Sequence, residues 1–153
     1  MTHPSRDSGP PPAAFSMVQR VRFGDLDAMQ HMNNVEYLRF FETARIDYLM
    51  SVAPEHQPGS RSQFGFIFAE CHINYRSPAH FGEEIRTWVW PGELRRSSVR
   101  LEFEMRSESD GRLVANGYGV LVGYDYEAGR ARPVPDALVR KLEPEPARQE
   151  SAR

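Results

Sequence analysis

The sequence predicts an α+β domain in which a curved antiparallel sheet wraps around one long central helix. One strand-like segment comes first, a helix-like stretch of about 18 residues without glycine or proline follows, and four more strand-like segments come after it. Short turns between strands favour antiparallel pairing, and a single helix is covered only if the sheet curves around it. We expect one domain over residues 17–143, between disordered tails at 1–16 and 144–153 that are rich in proline and polar residues.

The first strand and the helix are recognised by their periodicity and their end residues. Residues 17–23 alternate between the two faces of a strand and stop at Gly24. Asn33 is a good N-cap, and Glu36 follows three residues later, as in a capping box. The sequence therefore predicts a helix over residues 35–52. Its apolar residues cover much of the cylinder and predict an enclosed helix: Val35, Leu38, Phe41, Tyr48 and Leu49 form one stripe, which Tyr37, Phe40 and Ala44 widen.

Four strands are predicted after the helix, at residues 66–76, 84–90, 98–106 and 113–125. The third of these alternates most regularly, with apolar side chains on one face only: Val99, Leu101, Phe103 and Met105. Glycines on one face of the last strand leave space for another backbone or a ligand: Gly117, Gly119 and Gly123. One helix leaves a sheet face and an edge strand uncovered, so we expect a homodimer or a tetramer.

Composition excludes several classes of protein. The chain has 153 residues, a formal net charge of −2 and a single cysteine, Cys71. One cysteine cannot form an intramolecular disulfide, which favours a reducing, cytoplasmic setting. The net charge argues against a nucleic-acid partner, and no apolar run is long enough to insert into a membrane. Histidines lack metal-ligand spacing, so we expect neither a metal nor a bound cofactor.

The segment RFGDLDAMQHMNNVEYLRFFETAR, at residues 22–45, resembles acyl thioesterases of the hotdog fold, in the 4-hydroxybenzoyl-CoA thioesterase-like family. The resemblance continues through ECHINYRSPAHFGEE, the LRRSS turn and GRLVANGYGVLVGYD, and covers residues 17–126. Within that family the chain looks most like the bacterial long-chain acyl-CoA thioesterases. The resemblance implies a sheet wrapped around one helix, pairing into dimers, and hydrolysis of an acyl-CoA, coenzyme A being part of the substrate. A medium- or long-chain fatty acyl group is the leading expectation, and aromatic and carrier-protein thioesters remain open.

Thioester hydrolysis needs a nucleophile or general base and a positive group at the carbonyl oxygen. Asp27 can supply the first, since it lies in the loop six residues before the Asn33 cap. The helix start supplies the second, because its first N–H groups lack intrahelical partners and the helix dipole adds positive charge. The resemblance implies the same pair, Asp27 as the catalytic carboxylate and the backbone N–H of Asn34 as the polarising group. The sequence leaves open whether Asp27 attacks directly, activates water or only caps its loop.

Several further residues are candidates for the site. His31 matches a histidine that plant acyl-carrier-protein thioesterases use, although Met29 departs from their pattern. It would orient water, shuttle a proton, bind the carboxylate, organise the loop or support the dimer contact. Asp25 is the alternative carboxylate, with a structural role favoured, and Tyr37 is expected in the core or the pocket wall. The resemblance implies that one turn helps to hold the phosphates of coenzyme A, and its residues are Arg95, Arg96, Ser97 and Ser98.

Two other functions are compatible with these residues. A hydratase or dehydratase of the same fold would use Asp27 and His31 as an acid–base pair. A non-catalytic module would bind acyl-CoA without needing a carboxylate at the reactive carbonyl. Release of free thiol distinguishes hydrolysis from both.

Overall fold

The computed structural model describes residues 9–56 and 65–143 as an antiparallel sheet with a long helix packed against its inner face. The strands are β1 (Phe15–Arg20), β2 (Gly65–Tyr75), β3 (Glu84–Leu94), β4 (Ser98–Ser107), β5 (Leu113–Asp125) and β6 (Arg130–Ala131). The helices are α1 (Asn34–Val52) and α2 (Asp136–Leu142), and short 3-10 turns lie at Phe23–Asp25 and Pro54–His56. The predicted α+β class is confirmed.

The strand order is β1-β3-β4-β5-β2, with the short β6 added beside β5. Every pairing is antiparallel. The last residue of β1, Arg20, pairs with the first residue of β3, Glu84. The chain therefore leaves β1 next to the first residue of β3. The loop before α1 must begin beside this end of β3.

The core joins α1 to the centre of the sheet. The alternation predicted for β4 is confirmed, since Val99, Leu101, Phe103 and Met105 are all at most 1% exposed. The Phe41 ring of α1 stacks on Phe103 with centroids 4.3 Å apart. Each buried side chain of this size contributes about 1.5–3 kcal/mol through its removal from water. This contact keeps the helix pressed against the middle of the sheet.

The start of α1 agrees with the predicted N-cap but not with the capping box. Asn33 Oδ1 accepts a hydrogen bond from the Val35 N–H at 3.2 Å. The Asn33 N–H donates to the Asp25 carbonyl at 2.8 Å, so the Glu36 side chain does not occupy it. The loop before the helix therefore replaces Glu36 as the partner of this N–H, and the predicted capping box is wrong.

The predicted apolar stripe of α1 is rotated relative to the buried face. The helix buries five of the predicted residues: Tyr37, Phe40, Phe41, Ala44 and Tyr48. Val35 and Leu38 are 54% and 37% exposed. Helical spacing identifies the apolar residues but not how far the sheet reaches around them. Phe41, which contacts Phe68 of β2, is buried, whereas the surface of α1 that carries Val35 and Leu38 is left uncovered in a single chain.

Two glycines of β5 make room for neighbouring groups. A Cβ at position 117 would lie 1.8 Å from the His72 carbonyl oxygen of β2. A Cβ at position 119 would lie 2.8 Å from the Phe41 ring and 2.6 Å from the Phe68 ring. In one chain, the space predicted at these glycines is therefore occupied by a backbone and by two aromatic rings.

The two ends of the domain differ from the prediction. β1 begins at Phe15, so two residues assigned to the N-terminal tail belong to the sheet. Residues 9–14 of the predicted N-terminal tail lie outside the helices and strands, and the predicted tails at 1–8 and 144–153 lie outside the described residues. α2 and β6 were not predicted; Leu138 and Leu142 of α2 are at most 3% exposed and complete the core. Neither α1 nor α2, the helices of the described ranges, is long and apolar enough to span a membrane.

Candidate active site

The loop between β1 and α1 folds back on itself and ends at the helix start. The Asp25 carbonyl accepts the Asn33 N–H at 2.8 Å, and Leu26 pairs with Met32 in an isolated antiparallel bridge. The Met32 N–H also donates to the Ala79 carbonyl at 2.8 Å, which fastens the loop to the segment before β3. The base of this loop, at Asp25 and Asn33, is consequently fixed at the start of α1.

Asp27 closes the tip of the loop with both its backbone and its side chain. Its N–H donates to the His31 carbonyl at 2.9 Å, and its Oδ1 accepts the Met29 N–H at 2.8 Å and the His31 N–H at 3.4 Å. Asp27 is half-buried, and within residues 9–56 and 65–143 its Oδ2 has no hydrogen bond. The carboxylate thus contacts its own loop and not the helix N–H groups, and one oxygen remains for another partner.

The first turn of α1 presents one unoccupied donor. The Val35 N–H is capped by Asn33, and the Glu36 N–H donates to the Asn33 carbonyl at 2.9 Å. The Asn34 N–H has no acceptor in the described part of the chain, and Asn34 is exposed. In the folded loop, the pair of Asp27 and His31 is two residue pairs away from the pair of Asp25 and Asn33 at the helix start. About 7 Å of backbone therefore separates Asp27 from the helix start. An anion between them would meet a free N–H at the positive end of the helix dipole.

Asp25, the alternative carboxylate, has a structural position. It is 3% exposed, and its Oδ2 accepts the Arg22 N–H at 2.8 Å. The Arg22 guanidinium lies 3.3 Å from Oδ1. Both oxygens are engaged inside the turn that begins the loop, as expected for the structural alternative.

His31 points toward a second histidine. The His31 and His80 rings meet edge to face with centroids 5.2 Å apart, and their backbones form an isolated bridge. His80 contacts Glu83 Oε2 through its N–H at 2.6 Å and its ring Nδ1 at 3.3 Å. His31 therefore binds the Asp27 carboxylate through its backbone N–H, and its ring packs against the turn before β3.

Glu83 anchors that turn as an ionised group. Burial would raise the pKa of its carboxyl, but hydrogen bonds from Arg112, the His80 N–H and Ser107 outweigh burial and lower the pKa. Arg112 Nη2 lies 2.7 Å from Oε1, and Ser107 Oγ donates to the same oxygen at 2.9 Å. The turn that supports the His31 side of the loop is fixed to β4 and to the start of β5.

Two tyrosines border the start of α1. Tyr37 is 4% exposed, and its Oη donates to the Ser77 carbonyl at 3.5 Å. Tyr75, the last residue of β2, donates its Oη to the Asn34 carbonyl at 3.1 Å. Their rings meet at right angles with centroids 5.1 Å apart. Burial raises the pKa of Tyr37, so its hydroxyl stays protonated at neutral pH, and its position fits the predicted core or pocket wall.

The arginine turn lies at the other end of the sheet. It joins the end of β3 to the start of β4, and its residues are Arg95, Arg96, Ser97 and Ser98. The Asp27 loop packs beside the beginning of β3, so the length of that strand, about 30 Å, separates the two. Arg95 pairs with Glu93 at 3.1 Å, and both are exposed. One chain brings together Asp27, His31, Asn34 and Tyr37, but not this turn.

One depression on the described surface lies away from Asp27. It measures about 640 Å³ and lies beside the Glu83 turn. Its lining includes Arg20, Phe81, Glu84 and Glu108, but neither Asp27 nor Asn34. It is open and largely acidic, which suits neither an acyl chain nor the phosphates of coenzyme A.

Tyr75, His80 and Glu83 were not singled out in the sequence. All three lie in the INYRSPAHFGEE stretch that carries the family resemblance, and Tyr75 is an aromatic residue at the very end of a strand. The contacts of Tyr75 with Asn34 and of His80 with His31 join residues more than 40 positions apart, which local periodicity does not reveal.

The antiparallel sheet packed on one long helix is a fold of the hotdog class. The family model of the Thioesterase-like superfamily matches residues 21–142, and the chain belongs to this family. It is a thioester hydrolase.

Three relatives illustrate the similarity. The long-chain acyl-CoA thioesterase FadM of Escherichia coli (strain K12) is 31% identical over 81% of this chain and 93% of its own. The 1,4-dihydroxy-2-naphthoyl-CoA hydrolase of Synechococcus sp. (strain WH7803) is 29% identical over 84% and 88%. A thioesterase from Thermus thermophilus, solved with coenzyme A and Zn, is 31% identical, with a TM-score of 0.70, and covers 83% of this chain and 90% of that one.

Proposed function

We propose that this hydrolase acts on acyl-CoA in the cytoplasm and prefers medium- or long-chain fatty acyl groups. The similarity to a long-chain acyl-CoA thioesterase supports the substrate, and the complex of the Thermus relative with coenzyme A supports the carrier. The exposed free cysteine, Cys71, suits a reducing compartment. The products are a free carboxylic acid and coenzyme A.

The observation that carries the proposal is the free Asn34 N–H beside the Asp27 loop. An amide at a helix start is preorganised for the negative charge that develops on a thioester oxygen, and it needs no reorganisation during the reaction. The hydrogen bond between Asn33 and the Asp25 carbonyl fixes the distance between this donor and the loop. In the proposed reaction the half-buried Asp27 carboxylate of that loop acts on the carbonyl carbon.

Two routes of thioester hydrolysis use the same groups. As a general base, Asp27 takes a proton from water while the hydroxide adds to the carbonyl carbon, and the C–S bond then breaks. As a nucleophile, Asp27 forms an anhydride, the thiolate leaves, and water hydrolyses the anhydride in a second step. In both, the Asn34 N–H binds the oxyanion and the thiolate accepts a proton. The Oδ2 atom, which has no hydrogen bond among the described residues, is the reacting oxygen in either route.

The proposed enzyme works as a homodimer that pairs through β2. This strand is an edge of the sheet, and its residues 69–72 are exposed. Val35 and Leu38 of α1 are also exposed. Because the arginine turn is about 30 Å from Asp27 in its own chain, the proposal assigns the turn that holds the same coenzyme A to the partner subunit. Light scattering after size exclusion should give twice the mass of one chain; a monomer at micromolar concentration contradicts this part of the proposal.

A thiol-release assay over a panel of acyl-CoA substrates tests the function. We expect the highest kcat/KM for medium or long fatty acyl chains, with free thiol appearing in proportion to the acid released. A preference for an aromatic thioester would move the assignment toward the naphthoyl-CoA relative. Loss of enoyl absorbance without thiol would indicate the hydratase, and tight binding without turnover would indicate the binding module.

A further inference from the structure

We propose that Tyr75 is a positioning residue for this reaction. By binding the Asn34 carbonyl, it holds the first turn of α1 and so aims the free Asn34 N–H at the substrate. The inference rests on the proposed function and adds to it a residue from a different element.

The contact joins two elements that are distant in sequence. Tyr75 ends the edge strand β2, and Asn34 begins α1. The 3.1 Å bond from Tyr75 Oη to the Asn34 carbonyl fastens the helix start to the sheet at the proposed oxyanion site. Helix ends fray more easily than helix interiors, because their groups lack a full set of intrahelical bonds. The hydrogen bond from Tyr75 on the strand restricts this fraying at the proposed oxyanion site.

The Tyr75 ring is itself held in place. It meets the Tyr37 ring at right angles, 5.1 Å between centroids, and Tyr37 is buried in the core. Tyr75 remains 51% exposed in a single chain. A fixed ring lets the hydroxyl act as a rigid support and not as a mobile side chain.

Both peptide groups around Asn34 are then fixed. The peptide that carries the Asn34 N–H has its carbonyl at Asn33, and this carbonyl accepts the Glu36 N–H at 2.9 Å. The next peptide has its carbonyl at Asn34, which accepts the Tyr75 hydroxyl. The direction of the free N–H is therefore determined from both sides. Small displacements of such a donor weaken its bond to the developing oxyanion and slow the reaction.

The hydroxyl is suited to remain a donor. Burial raises the pKa of Tyr75, and nearby Cys71 raises it further. Tyr75 therefore stays protonated over the pH range in which a thioesterase is assayed.

Tyr75→Phe removes the hydroxyl and keeps the ring. We expect kcat to fall about tenfold with KM changed by less than about twofold, because the donor is misaimed while the binding surface is unchanged. Tyr126→Phe is the matched control, since Tyr126 Oη donates to the Phe66 carbonyl at 3.0 Å and is 67% exposed. It should leave both constants unaltered. Full kcat in Tyr75→Phe, or an equal loss in both variants, overturns the proposal.

A second readout does not depend on turnover. We expect the NMR order parameter of the Asn34 amide to fall in Tyr75→Phe and to stay at the wild-type value in Tyr126→Phe. An unchanged order parameter in Tyr75→Phe overturns the positioning role. If the wild type releases no thiol from any acyl-CoA while the order parameter falls as expected, the proposed function fails and the contact between Tyr75 and the helix start is upheld.

Discussion

Replacing Asp27 with asparagine is expected to lower kcat by about 100-fold or more and to leave the fold intact. The amide oxygen of asparagine can still accept the Met29 and His31 N–H groups that Asp27 Oδ1 accepts now. The charge and the basicity are lost, and with them both routes of attack. Steady-state thiol release measures the effect, and thermal unfolding verifies that the loop has kept its structure.

Asp125→Asn is the control for this variant. Asp125 Oδ1 accepts the Glu127 and Ala128 N–H groups at 3.0 Å, so it closes a turn in the same way, away from the site. It should retain wild-type kcat. Near-normal turnover in Asp27→Asn would show that Asp27 only organises its loop, and the catalytic carboxylate would have to be sought elsewhere.

Gly117→Ala is expected to destabilise the domain by about 3 kcal/mol or more, at the upper end of the cost of overpacking. The added Cβ would lie 1.8 Å from the His72 carbonyl oxygen, and this atom belongs to a backbone that is paired along β2. The strand must move away from β5 to relieve the clash. The free energy of unfolding in urea measures the loss.

Gly24→Ala provides the comparison, since nothing lies within 4 Å of the Cβ it would add. Its free energy of unfolding should stay close to that of the wild type. If Gly117→Ala is equally stable, the close approach of β2 to β5 does not exist in solution. A displaced β2 would also carry Tyr75 away from Asn34, so we expect residual activity in this variant to fall with stability.

The parts of the fold that were predicted correctly are those that local pattern determines. The period of two in β4 and the cap at Asn33 depend on neighbours in sequence, and both are confirmed. α2 was missed because its anchors, Leu138 and Leu142, are isolated apolar residues after a proline-rich stretch. They become a helix face only when the core offers them a surface. The prediction of the buried face of α1 was wrong for a similar reason, because the position of the sheet determines which apolar residues of the helix are covered.

For the site, too, the local part could be predicted from the sequence and the part that depends on strand pairing could not. Asp27, His31 and Asn34 are within eight positions of one another, so a single folded loop was enough to place them together. The arginine turn was assigned to the same ligand, but its place depends on which strands pair and in which direction. Antiparallel pairing of β1 with β3 sends the turn to the far end. No local signal in the sequence contains that information.

Gln30, at the tip of the loop, adopts a φ of +61°, which residues other than glycine rarely do. A chain accepts such a conformation only where surrounding bonds dictate it, here the short reversal between Asp27 and His31. An inserted or deleted residue would break this reversal and displace the carboxylate. Adaptation of the enzyme to new acyl groups must therefore proceed by exchanging side chains around the loop, while the number of residues within it stays constant.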